Sequence, residues 1–245
     1  MVRSLFRTVY NLILILCLSW GILLTFSNLP STALSVYEQR QNHSPDGIGK
    51  YYMGREIAQV MGYRGAGWLE RPSRETEEKT SQIVELLDLK PDNVVADIGA
   101  GTGYLSFLIA PLLTQGKVLA VDIQPQMLEI IGYFKEEKNI NNVEPILATE
   151  TNPNLPEESI DLAIMVDAYH ELAYPQEVMT KIVKSLKPGG KVVLVEYRGE
   201  NPFIMIKRLH KMTQKQVKKE MKAVGLNFQE TKNKLPQQHF MVFVK

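Results

Sequence analysis

The chain has 245 residues, with 28 Lys and Arg against 27 Asp and Glu, a net charge of +1, and 44% hydrophobic and 22% charged residues. That balance excludes a disordered, highly charged chain, and a single cysteine excludes a disulfide scaffold. A charge this close to zero names no polyanionic partner, and the length suits one domain with appendages.

The chain begins with Arg3 and Arg7 ahead of a nearly uncharged apolar run, Thr8 to Phe26. Its length favours a membrane anchor, because a span needs roughly 20 apolar residues. Ser31-Thr32-Ala33 supplies the small residues of a signal-peptidase site, so a cleaved signal peptide stays equally open. The leading arginines predict that the rest is exported, into a periplasm or outside the cell. An inverted anchor, with the domain at the cytoplasmic face, is the other arrangement. Cys17 lies inside this run, which leaves the remainder without a thiol for catalysis or metal binding. His43, His170, His210 and His239 are widely scattered and show no ligand spacing, so no metal is expected.

Residues 34–74 lack a clear period and read as a capping or linker segment, with Met53 to Ala58 as a short helical start. A helix is expected from Ser73, as N-cap, to Leu89, closed by Pro91. The chain therefore divides into 1–33, 34–74 and a main domain, 75–245. Beyond Pro91, short apolar runs alternate with helical stretches, the pattern of βαβ units. The expected strands are Val94–Ile98, Lys117–Ile123, Val143–Ala148, Asp161–Val166 and Lys191–Tyr197, then Asn227–Lys232 and His239–Lys245. Helices are expected over Tyr104–Leu113, Gln126–Lys138, Pro175–Leu186 and Thr213–Val224.

The first of these strands runs Val94-Val95-Ala96-Asp97-Ile98 and breaks into Gly99-Ala100-Gly101-Thr102-Gly103 before a helix. Glycines at a strand's C-terminal end let the backbone turn tightly and approach a ligand. A dinucleotide site wants G-x-G-x-x-G, whereas this loop is G-x-G-x-G behind an aspartate that would repel a phosphate. Asp97 suits a cationic amino-acid moiety instead. Asp122 ends the next strand, roughly 20 residues on, where a carboxylate can accept from ribose hydroxyls.

The run D-I-G-A-G-T-G, followed by V-D-I, then L-K-P-G-G before the fifth strand and a C-terminal β-hairpin, resembles the class I S-adenosylmethionine-dependent methyltransferases over about 85–245. The resemblance implies a Rossmann-like doubly wound α/β sheet of seven strands, the last antiparallel, and S-adenosylmethionine as cofactor. Carried over by position, Asp97 and the loop of Gly99, Ala100, Gly101 and Gly103 would hold the methionine portion. Asp122 would hold the ribose, Ile123 would pack on the adenine and Glu150 would meet its amino group. Asp167 and His170, after the fourth strand, are the polar candidates at the acceptor mouth, and a base is needed only if the nucleophile carries a proton. Lys187-Pro188-Gly189-Gly190 is a turn without chemistry.

Lys207, Arg208, His210, Lys211 and then Lys215, Lys218, Lys219 and Lys222 make a basic face. It is read as a solvated surface or as a contact with an anionic membrane; nucleic acid is not expected. The expected substrate is a small or lipid-like molecule. A nicotinamide oxidoreductase and a non-catalytic scaffold are the competing readings, and oligomeric state is not legible.

Overall fold

The computed structural model describes residues 36–245, so the apolar run read above as signal or anchor lies outside the described residues. Among the described residues no helix is long and apolar enough to cross a membrane.

Seven strands form the main sheet: β4 (Val94–Ile98), β5 (Lys117–Asp122), β6 (Val143–Leu147), β7 (Ile160–Val166), β8 (Leu186–Tyr197), β9 (Asn227–Lys232) and β10 (Gln238–Val244). Their order is β6-β5-β4-β7-β8-β10-β9, and β10 is antiparallel to both its neighbours. This is the doubly wound sheet with a reversed last strand that the sequence predicts. Alternate residues serve opposite faces, as the pleat requires. Val95, Val118, Leu162 and Val193 join one buried apolar cluster, and Ala96, Leu119, Ala163 and Val192 the other.

Helices cover both faces. On one side pack α3 (Thr80–Leu86), α4 (Tyr104–Ile109) and α5 (Pro125–Glu137), through residues such as Ile83, Phe107 and Ile131. On the other pack α6 (Pro175–Ser185), through Val178, Met179 and Ile182, and α7 (Gln214–Ala223), through Val217 and Met221. Burial of each such side chain contributes roughly 1.5–3 kcal/mol, enough for these short helices to form despite polar outer faces. Proline at the start of α5 and α6 costs no hydrogen bond there, and the Thr213 hydroxyl caps α7 by accepting from Gln216 N.

The region ahead of β4 departs from expectation. Residues 37–58 form a second, antiparallel sheet of β1 (Tyr37–Gln39), β2 (Gly47–Tyr52) and β3 (Arg55–Ala58). Met53 to Ala58 is thus a tight turn and a strand, not a helical start. Tyr52 pairs with Arg55 across Met53 and Gly54, whose φ angles are 48° and 95°. Positive φ at both positions gives the turn that matches strand twist.

The helix expected from Ser73 to Leu89 is two helices after α1 (Ala66–Leu69): α2 (Arg74–Glu78) and α3, separated by Lys79 at φ 54°. Ser73 makes no side-chain cap. The break is held by Glu75, whose carboxylate accepts from Ser81 N at 3.0 Å and from the Thr80 hydroxyl. A cap reaching back from the previous turn lets α3 start afresh. The segment Lys187 to Gly190, expected as a turn, continues within β8.

Candidate active site

Chain order runs β4, β5, β6 towards one edge and then returns to β7 beside β4, so the crevice beyond β4 and β7 is the switch point where such sheets take ligands. Gly99, Gly101 and Gly103 hold φ of 73°, 56° and 81°, values that favour glycine. The amides of Gly99 and Ala100 donate to Val121 O at 2.8 and 3.0 Å, tying the loop to β5. Close approach matters as well: a Cβ on Gly99 would stand 2.7 Å from Ala168 Cβ, and one on Gly101 2.5 Å from Leu69 Cδ1.

This loop walls a cavity of about 630 Å³, into which the fold also brings Asp97, Asp122, Ile123, Glu150, Asp167 and His170. Of the residues expected there, Gly103 alone is not in the lining; it precedes α4 and packs against Phe107 and Ile131. Its role is to start the helix.

Asp97 is buried, and its Oδ2 accepts from Ser106 Oγ at 2.7 Å. Burial pushes its pKa up to about 6. Asp122 is also buried; it accepts from Gly101 N and Gln124 N, each at 2.9 Å, and burial again raises its pKa. Two amides use one lone pair on each oxygen, which leaves acceptor capacity for ligand hydroxyls. Ile123, 38% exposed, and the exposed Glu150 sit at the rim after β5 and β6.

Sequence reasoning missed the wall facing Asp97. Arg74 lines the cavity, donates to Leu69 O at 2.8 Å and to Glu78 Oε2 at 3.0 Å, and stacks 4.6 Å above the Tyr104 ring. Arg71 and Tyr197 also bond Glu78. The only local signal was the i, i+4 spacing of Arg74 and Glu78. A cation and an anion lining one cavity suit a zwitterionic amino acid.

Asp167 follows β7 at φ 49°. Its Oδ2 accepts from Gln238 Nε2 at 2.8 Å, while Oδ1 is buried without a partner. Burial, with Glu196 and Glu78 nearby, holds its carboxyl well above the usual range. His170 is buried, with Nδ1 2.6 Å from Glu196 Oε2 and Nε2 3.0 Å from His210 Nδ1. Glu171, His210, Asp46 and Lys207 line the same end of the cavity. The scattered histidines are therefore not all scattered in space: two of them meet across 40 residues of chain. The basic face is partly internal wiring. Lys207 bonds Asp46 at 2.5 Å, Lys211 donates to Asn201 O and Ile204 O, and Lys219 to Met53 O. Lys215 and Lys222 are exposed.

Comparison with known proteins shows what these features are similar to. Residues 96–192 match the family model described as a methyltransferase domain. A protein-L-isoaspartate O-methyltransferase of Aeropyrum pernix is 29% identical over 143 residues, 54% of this chain and 52% of that protein. The ubiquinone/menaquinone biosynthesis C-methyltransferase UbiE of Ectopseudomonas mendocina is 26% identical over 124 residues, 49% and 48% of the two chains. The chain thus spans about half the length of the curated relatives it matches. In structure, a SAM-dependent methyltransferase from Aquifex aeolicus superposes with a TM-score of 0.71 at 19% identity, over 76% of this chain and 99% of that one. At that identity the likeness is one of fold.

Proposed function

We propose that this chain, which carries a class I S-adenosylmethionine-dependent methyltransferase domain, moves a methyl group from that cofactor to a small-molecule or lipid-like acceptor bound at the His170 end of the cavity. The observation that carries the reading is one cavity lined by the glycine loop, by carboxylates at the ends of β4 and β5, and by a polar cluster opposite. S-adenosylmethionine supplies a methyl group on a cationic sulfur, open to in-line displacement.

The residues fit that cofactor. Asp97 would offer an anion to the methionine ammonium and Arg74 a cation to its carboxylate, with the Gly99 to Gly101 backbone lining the same cavity. Asp122 would accept from the ribose, Ile123 would pack on the adenine and Glu150 would meet its amino group. With the cofactor so held, acceleration comes largely from holding the acceptor in line, since positioning alone can lower a barrier by about 7–11 kcal/mol. His170, Glu171 and His210 orient the acceptor and contain the groups to receive a proton if its nucleophilic atom carries one. Asp167, whose buried carboxyl is pushed toward the protonated form, would on protonation donate a hydrogen bond there.

Calorimetry on the full chain with S-adenosylmethionine, S-adenosylhomocysteine and NAD tests the cofactor half. Binding of NAD alone would overturn the reading in favour of an oxidoreductase. Transfer of isotopically labelled methyl groups to a panel of small-molecule and lipid acceptors separates an enzyme from a scaffold that binds without turnover. The Thr8 to Phe26 run supports a place at or beyond a membrane, which protease protection in fractionated cells would test.

A further inference from the structure

We propose that His170, Glu171 and His210 form a binding site for one divalent transition-metal ion at the acceptor end of the cavity. The three ligand atoms already converge. His170 Nε2 and His210 Nδ1 are 3.0 Å apart, His210 Nδ1 and Glu171 Oε1 3.3 Å, and His170 Nε2 and Glu171 Oε1 3.9 Å. Ligands about 2.0–2.1 Å from an ion stand about 3.4 Å apart in a tetrahedron and about 3.0 Å apart when adjacent in an octahedron. The observed separations bracket the tetrahedral value, and the shortest meets the octahedral one.

The surrounding groups point the same way. His170 Nδ1 lies 2.6 Å from Glu196 Oε2, a contact in which Nδ1–H donates to the carboxylate and the neutral ring would turn its Nε2 lone pair to the cluster. Asp46 Oδ2 lies 3.5 Å from the far nitrogen of His210, with Lys207 bonded to the other oxygen of that carboxylate. A carboxylate behind each imidazole is the arrangement that orients histidine ligands and raises their basicity. The cluster therefore presents three Lewis-basic atoms to one point. A proton on His210 can serve one of its two neighbours well at a time, whereas an ion serves all three.

Ligand chemistry narrows the ion. The set holds two imidazoles and one carboxylate, and the chain's only cysteine is Cys17, so a thiolate-demanding centre is excluded. Zinc, cobalt, manganese or iron in the divalent state fits such donors. Three protein ligands leave coordination positions open, and Glu171 and His210 are only partly buried beside the cavity. A water or an acceptor oxygen would complete the shell. This last point rests on the methyl-transfer reading; the ion site itself does not.

The test uses the untagged full chain, stripped with a chelator and titrated with Co²⁺ and then Zn²⁺ by calorimetry and visible absorption. One Co²⁺ per chain, with d–d bands that Zn²⁺ abolishes, is expected. His210→Ala and Glu171→Gln, at partly buried positions, should each weaken binding by at least about tenfold while circular dichroism stays unchanged. His170→Ala is the less secure variant because the ring is buried. No stoichiometric binding, or binding unaltered in both variants, overturns the site and leaves a proton as the charge between the rings. S-adenosylmethionine affinity is measured on the same samples, so loss of the cofactor reading and loss of the metal site register separately.

Discussion

Arg55 and Glu220, one in the hairpin ahead of the main sheet and the other in α7, form a two-pronged ion pair at 2.7 and 3.1 Å, with side chains 13% and 0% exposed. Arg55 also donates to His170 O at 3.1 Å, and Tyr169 donates to Glu220 at 2.7 Å. The pair thus couples the small sheet to the loop that carries His170. Removing one member strands a buried charge. Arg55→Met should cost about 3–5 kcal/mol in urea unfolding, and the double variant with Glu220→Leu should lie closer to wild type than either single change. A loss below about 1 kcal/mol in the single variant would mean that the contact is solvated in solution.

Asp97 predicts a pH signature. Its pKa is raised from 3.8 to about 6 by burial, with Ser106 and Arg74 pulling against the shift and Asp122 adding to it. A raised carboxyl pKa means that the folded chain holds the proton more tightly than the unfolded one. Its stabilising contribution is complete below about pH 4 and disappears as pH climbs through about 6, a change of at most about 3 kcal/mol. Relative to Asp97→Asn, the ligand-free protein should therefore lose stability across that interval. A cationic ligand favours the ionised form, so S-adenosylmethionine affinity should rise up to about pH 6 and then level off. Calorimetry across pH showing the same profile in Asp97→Asn would assign the titration elsewhere.

Asp122 anchors the glycine loop through Gly101 N and Gln124 N, so Asp122→Ala removes more than a ligand contact. Cofactor affinity should fall by about 10–100-fold, the effect of losing one charge-assisted hydrogen bond with some loop disorder added. Unchanged binding by calorimetry would remove Asp122 from the ribose site.

Asp167 is the informative test at the acceptor end. Burial pushes its carboxyl toward the protonated form, which Asp167→Asn mimics in shape, and asparagine tolerates the left-handed backbone found there. Turnover should change by less than about tenfold. A fall of about 100-fold or more would identify an ionised base instead.

The sheet from Val94 onward was legible because its central strands, β4, β5, β7 and β8, carry short apolar runs set off by glycines or prolines, and two-sided burial rewards that pattern at once. The small sheet was not. Its strands carry Arg55 and Glu56, which are largely buried but find partners in Glu220 and Ser44, far along the chain or across a turn. Charged residues in so short a run erase the alternation that marks a strand. The glycine loop and Asp122 were readable from local spacing, whereas Arg74 and the His170–His210 contact exist only once α2 and the segment after β8 fold over the strand ends. Lys79 shows a further limit: no glycine or proline marks the break between α2 and α3, because Glu75 makes it from four residues away.

The side chain of Leu69 comes within 2.5 Å of where a Cβ on Gly101 would be, and the short helix that bears it is pinned by Arg74 and by the Glu70 contact to Thr102. A single helical turn thus sets one wall of the cavity at the glycine loop. If methyl transfer is as proposed, that wall bears on how the spent adenosyl product leaves, and Leu69→Ala should quicken its departure in stopped-flow displacement.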